Sequence, residues 1–230
     1  MDMKSGKKIS VMACAALLTV SGTLFAAENS SEKASLDAEV VEYNMETGMS
    51  TATGNVVMVK GNSTVTGNYA EFNTKTKDGK VTGNVVAVKD DMRMSAEMVS
   101  TDGGEHMIAV GSVRGTKADK HFAGPRVEYF DTNQYVLIPS GGSITAPEGT
   151  FTADRMEGYL QSNHIIGTGN AHMVSPPNNM EAGGDKVDYY GDGTGKAVLT
   201  GNAWAIQDNN TLKSKKLTVF LADNGKAKVQ

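Results

Sequence analysis

The sequence predicts an all-β fold, and three observations lead there. Valine (22) outnumbers leucine (10), with 21 threonines and 26 glycines, a usage that suits pleated, turn-rich chain. After residue 30 no stretch carries apolar residues at i, i+3, i+4 and i+7, so no amphipathic helix is expected. Short motifs also return about every 29 residues, the mark of a stacked array.

The N-terminus reads as a targeting segment. Lys4, Lys7 and Lys8 precede an apolar run over residues 9–20, and Leu24-Phe25-Ala26-Ala27 supplies a small-residue exit before Glu28. That is the layout of a secretory signal peptide. Residues 1–27 are expected to be removed, leaving 28–34 as a flexible lead-in and 35–230 as the repeat domain. An uncleaved anchor is the alternative, although Ser10, Thr19, Ser21, Gly22 and Thr23 make it a weak membrane span. A lipoprotein box at Val11-Met12-Ala13-Cys14 would leave only residues 9–13 as apolar core. Cys14 is the only cysteine, so the exported chain forms no internal disulfide and must rely on burial and backbone pairing. Cleavage takes the formal charge from −4 to −6, because three lysines and Asp2 leave together. An acidic chain of this kind has no nucleic-acid footprint.

The repeats follow in order. Thr53-Gly54-Asn55, Thr82-Gly83-Asn84, Thr168-Gly169-Asn170 and Thr200-Gly201-Asn202 share one motif, and Val110-Gly111-Ser112 and Ser140-Gly141-Gly142 fill the gap between them. Between these lies a second motif: apolar, any residue, small, then apolar five and seven places after the first. Val65-Gly67-Ala70-Phe72, Phe122-Gly124-Val127-Tyr129 and Ala182-Gly184-Val187-Tyr189 are its clearest copies. Leu36-Ala38-Val41-Tyr43 begins the series and Leu212-Ser214-Leu217-Val219 ends it. The chain thus holds about six and a half units of roughly 29 residues, each with two strand-like runs. Turn residues such as Lys77-Asp78-Gly79, Lys89-Asp90-Asp91, Gly191-Asp192-Gly193 and Asp208-Asn209-Asn210 separate the runs, so neighbours should pair antiparallel as a meander.

Glycine inside a strand weakens it, so "KVTGNVVAVK" at 80–89 needs a reason. The second motif supplies one. Positions 0, 5 and 7 differ in parity, and a flat strand would aim them at opposite faces. A bulge or bend at the small residue, matched at the glycine of each Thr-Gly-Asn, keeps all of them inward. Stacked in register, such bends crease the sheet lengthwise into a trough.

These motifs resemble the OstA-like repeat of the LptA family of periplasmic lipopolysaccharide-transport proteins, a domain shared with LptC and the N-terminus of LptD. The resemblance covers residues 35–230. It implies an open, bent β-jelly-roll whose apolar interior shields the acyl chains of lipopolysaccharide in the periplasm. It also implies inner-membrane LptC-like and outer-membrane LptD-like partners, with no cofactor. Two departures are visible, at Ser140-Gly141-Gly142 and at Pro176-Pro177, and either could mark a twist or breach.

The candidate lipid-contacting residues follow the crease glycines. Val56, Val85, Val113, Ala171 and Ala203 stand two places on, and Met58, Ala87, Met173 and Ala205 two further along the same face. Val57, Val86, Arg114, Thr145, His172 and Trp204 are expected outside, although Val59, Val88, Val174 and Ile206 share that parity. Ten methionines after residue 27 would make adaptable walls. The same residues could simply fill a closed core, as in a structural or adhesive β-solenoid. Enzymatic patterns are missing: His106, His121, His164 and His172 lack metal spacing, and neither H-E-x-x-H nor G-x-S-x-G occurs. A polysaccharide-active parallel β-helix would need acidic residues clustered at one level, and none stands out. At the C-terminus the run starting Asn224-Gly225-Lys226 stops before a crease, leaving half a unit with an open edge. Head-to-tail association by strand addition is therefore expected.

Overall fold

A computed structural model describes residues 34–60, 62–102, 106–191, 195–221 and 227–229. The segment expected to be a signal peptide and the expected turns around 103–104, 192–193 and 224–225 lie outside the described residues. The described chain is strand after strand: β1 (Ala34–Asp37), β2 (Val40–Asn44), β3 (Met49–Lys60), β4 (Ser63–Asn73), β5 (Gly79–Lys89), β6 (Met92–Asp102), β7 (His106–Lys117) and β8 (Lys120–Phe130). It continues as β9 (Tyr135–Ile138), β10 (Gly142–Ala146), β11 (Gly149–Ala153), β12 (Arg155–Tyr159), β13 (His164–Ser175), β14 (Met180–Tyr190), β15 (Lys196–Gln207), β16 (Asn210–Leu221) and β17 (Ala227–Val229). All belong to one 17-stranded sheet, and every pairing is antiparallel.

Long strands pair with their sequence neighbours from β3 to β8 and from β13 to β16. Three rungs of this ladder are divided in two. β1 and β2 share β3, β9 and β10 share β8, and β11 and β12 share β13. Across the middle, β9 pairs with β12 and β10 with β11.

The glycine motif sits at the bend of each undivided strand that carries it. Between β5 and β6, Thr82 pairs with Met98 and Val85 with Ala96, so Gly83-Asn84 stands opposite Glu97 alone. β3, β7, β13 and β15 show the same excess of one residue at Gly54-Asn55, Gly111-Ser112, Gly169-Asn170 and Gly201-Asn202. Both residues of the pair are left-handed, with φ +82° at Gly83 and +52° at Asn84. Glycine takes that conformation freely and asparagine tolerates it better than most. The pair is inside the strand because the strand turns there.

The second motif needs a correction. The inward side does change parity across it: β4 buries Val65 and Gly67, then Ala70. The small residue itself, however, is not bulged. The added residue belongs to the neighbouring Gly-Asn strand, and the small residue provides clearance for it. A Cβ on Gly184 would lie 2.9 Å from the carbonyl oxygen of Gly201, and one on Gly67 2.5 Å from Cγ1 of Val81.

The two departures resolve differently. At Pro176-Pro177 there is no breach: Pro176–Asn178 forms a short 3-10 turn and the flanking strands pair up to Ser175 and Met180. At 139–141 the strand does break. Gly141 alone is left-handed (φ +62°), and Pro125, which has no N–H to donate, stands in the facing stretch of β8. The Gly141 N–H donates to the Asp154 carbonyl at 2.5 Å, and the Asp154 N–H to that of Gly169 at 2.8 Å.

Both arms of the bent sheet turn their apolar side inward. Val81, Ala109, Val113, Tyr129, Phe151 and Leu199 are completely buried and belong to one continuous core. Each large apolar side chain so removed from water contributes roughly 1.5–3 kcal/mol, which makes the inward face of both arms decide the bend.

Candidate lipid-binding interior

The interior is built from the positions next to the creases. Val56, Val85, Val113, Ala171 and Ala203 lie just past the left-handed pair and are at most 2% exposed. Ala87, Met173 and Ala205 are the next inward positions and are also buried, while Met58 is half-buried against the same core. The opposite parity faces out: Arg114 and Thr145 are exposed, and Val57, Val59, Val86, Val88, His172, Val174, Trp204 and Ile206 are intermediate. The structure thus brings all nine candidates to one side of the sheet. Side chains from the two arms meet between them, so the trough is occupied by its own residues.

The outside of the crease is polar, and sequence reasoning missed what it does. Asn55 Nδ2 donates to Glu39 Oε1 at 2.7 Å, Asn170 Nδ2 to Asp154 Oδ2 at 2.8 Å, and Asn202 Nδ2 to Asp185 at 3.1 Å. In three of the four Thr-Gly-Asn motifs the asparagine and the acidic residue after the small one therefore form a staple across the bend, whereas the residue facing Gly83-Asn84 from β4 is Asn68. The constant offset of the stapled pairs, 16 or 17 residues, was the available signal. Among the described residues the break at 139–141 shows no such staple of its own, and a shallow groove of about 460 Å³ lies there, lined by Gly124, Gly141, Gly142, Asp154 and Asn170.

A second missed feature runs along the tip of one arm. His106, Phe130, Tyr135, Tyr159, His164 and Tyr190 form a stack of rings with centroid separations from 4.1 to 5.6 Å. Its signal was an aromatic residue or histidine at successive strand ends. Carboxylates lie beside it. Glu128 accepts from Arg126 Nε at 2.6 Å and contacts His106 Nε2 at 3.0 Å. Glu157 accepts from the Tyr135 hydroxyl at 2.7 Å and from Arg155 Nε at 3.2 Å. Burial would raise both carboxyl pKa values, but the donated hydrogen bonds outweigh it and hold them below the usual range. The Tyr135 phenol is raised, by burial first and by Glu157 second. Among the described residues no three His, Cys, Asp or Glu side chains converge as a metal site, so these groups serve one another.

Comparison with known proteins follows from this geometry. The family described as LptA/(LptD N-terminal domain) LPS transport protein matches residues 35–225. The chain belongs to this lipopolysaccharide-transport family. Among solved structures it is similar to LptH, the LptA homologous periplasmic component of the lipopolysaccharide transport device of Pseudomonas aeruginosa, at 16% identity and a TM-score of 0.35. That match covers 62% of this chain and 94% of LptH. Comparison with curated proteins gives no match. For the LptA/LptD N-terminal family, the matched span takes in both arms and every crease described above.

Proposed function

We propose that the exported chain binds lipopolysaccharide in the periplasm, shields its acyl chains between the two arms, and forms part of a bridge between inner and outer membranes. The observation that supports this is the apolar interior, one continuous cluster from Ala52 on β3 to Val219 on β16. Family membership points the same way. Fatty chains would lie against Val56, Met58, Val85, Ala87, Val113, Ala171, Met173, Ala203 and Ala205 once the arms part. A photo-crosslinker at Val85 or Val113 should capture lipopolysaccharide in cells, and one at Arg114, on the exposed face, should not. Equal labelling at all three would reject the assignment.

The ends supply the bridging half of the proposal. Among the described residues β1 and β2 pair only with β3, and the β2 side chains Val40, Val41 and Tyr43 are 50–55% exposed. At the other end, among the described residues, β17 pairs with β16 at Val219, Phe220 and Leu221. The first rung carries exposed Asp37, Glu39, Glu42 and Glu46, whereas β16 carries exposed Lys213, Lys215 and Lys216. Opposite charge on two open edges suits head-to-tail strand addition, with another copy or with LptC-like and LptD-like partners. Light scattering should show concentration-dependent growth that weakens with salt and on removal of residues 224–230. A strictly monomeric protein that engages no partner through either end would overturn it.

One observation favours a second reading, a structural or adhesive β-solenoid with a filled core. Val81, Val113 and Tyr129 are completely buried by the protein's own side chains. Mass spectrometry of gently purified protein separates the two: co-purifying lipid supports the carrier, and indifference to added lipopolysaccharide supports the filled core.

A further inference from the structure

The interior is unevenly lined. From β3 to β7 the fully buried positions among the described residues carry no aromatic ring, Phe72 being only partly buried against the core, and Met92, Met94 and Met107 are the longest fully buried side chains there. From β8 to β14 they include Phe122, Tyr129, Phe151 and Tyr189, each at most 5% exposed. Phe151 is distinctive in where it points. It lies on β11 opposite Met173, on one side of the bend, but its ring reaches Gly167 on the other side. A Cβ built on Gly167 would stand 2.4 Å from Cζ of Phe151 and 3.0 Å from the Ala153 methyl. Position 167 holds glycine because the ring occupies that space. Phe122 has the same relation to Gly115, across one strand pair rather than across the bend. Phe151 therefore ties the arms together in the divided rung β11–β12, where the strand is interrupted at Asp154.

We propose that Phe151, seated against Gly167, is a movable aromatic plug that divides the interior, and that an acyl chain lying along the central rungs must swing it aside. This rests on the interior being an acyl site. A saturated hydrocarbon chain is the chemistry that fits, since Ala153 on β11, Met156 on β12 and Ile165 and Met173 on β13 are buried apolar side chains of the same core. A flexible methylene chain can take the place of a planar ring between methionines, which adapt their own shape to either occupant. On the aliphatic side of the plug, at Val56 and Val85, a chain enters without displacing a ring.

The test places a photo-crosslinker at Val85 or at Met173 in the full exported chain, offered lipopolysaccharide and, separately, a radiolabelled hexadecanoic acid probe. Capture at Val85 is expected to exceed capture at Met173. Phe151→Ala and Phe151→Leu should raise capture at Met173 several-fold and leave Val85 nearly unchanged. Gly167→Ala, whose methyl displaces the ring, should act in the same direction. Thermal unfolding of each variant identifies any that fails to fold, and Phe151→Leu carries the test if Phe151→Ala does. Capture at Val85 with Met173 unaffected by every folded variant would overturn the plug alone. Equal capture at both positions in the unsubstituted chain would overturn it too. No capture at either position in any chain would remove the acyl site itself, and the plug with it.

Discussion

The creases of β5 and of the β9–β10 rung do the same job by different means. In β5 the strand stays whole, turns through Gly83-Asn84, and keeps pairing with β6 on both sides of the bend. In the central rung the strand ends at Ile138 and a new one starts at Gly142, and each piece finds its own partner. The two pieces are four and five residues long, short enough to be marginal alone. What compensates lies at the arm tip. The ring stack from His106 to Tyr190 runs across β9 and β12, and Glu128 and Glu157 both stand beside Leu137 of β9. Continuity at the bend and stapling at the tip are thus interchangeable ways to hold one cross-section.

The largest effect should come from breaking the continuous crease. Gly83→Val places a branched side chain at φ +82°, where a Cβ already falls 2.8 Å from Asn68, and should cost roughly 1–3 kcal/mol. Gly141 is also left-handed but has nothing within 4 Å of its Cβ. Gly141→Ala should therefore show only the backbone penalty, about 1 kcal/mol, and less than Gly83→Ala. Thermal or urea unfolding measures both. Equal losses for the two alanine variants would mean that contact with Asn68 adds nothing and the creases do not differ.

The tip staple comes next. Tyr135→Leu removes the ring between Phe130 and Tyr159 and should lose about 1–2 kcal/mol, since each aromatic contact is worth ~0.5–1.5 kcal/mol beyond burial. Tyr135→Phe keeps the stack and loses only the hydrogen bond to Glu157. If the two variants unfold alike, the stack is not what holds β9. A smaller loss, about 0.5–1.5 kcal/mol, is expected for Asp154→Ala, which strips Asn170 of its acceptor at the crease that flanks the break.

The sequence made the array legible because both signals are local. Period-two burial appears directly as Val81, Val85 and Ala87, and the parity change at Gly67 requires a bend wherever the motif recurs. Parity cannot say which of two facing strands takes the added residue, since a bulge on either restores it. Backbone conformation decides, and the left-handed pair is affordable for Gly83-Asn84 but not for Ala96-Glu97. The candidate interior was legible for the same reason, by counting from each glycine. Its filling was not. How far Phe151 reaches depends on the angle between arms, which arises from packing of residues distant in sequence, and Gly167 reads as an ordinary strand glycine until the ring is seen against it.

The smallest effect is a pH dependence confined to the tip. Glu128 is held below its ordinary value of 4.5 because donation by Arg126 and His106 outweighs the opposing effect of burial. A carboxyl whose folded pKa is depressed contributes its full stabilisation above the unfolded value. That contribution fades as the pH falls through the folded value. Glu157, on the other side of β9, behaves alike through Tyr135 and Arg155. Glu128→Gln should therefore lower the melting temperature slightly near neutrality and make its fall below pH 4.5 shallower than in the unsubstituted protein. The two curves should converge at low pH, where both side chains are neutral. The double variant with Glu157→Gln should flatten the acid limb further, because both carboxylates brace the same short strand from opposite sides. Parallel melting curves down to the acid limit would show that neither carboxylate supports β9, leaving the ring stack as its only brace at the tip.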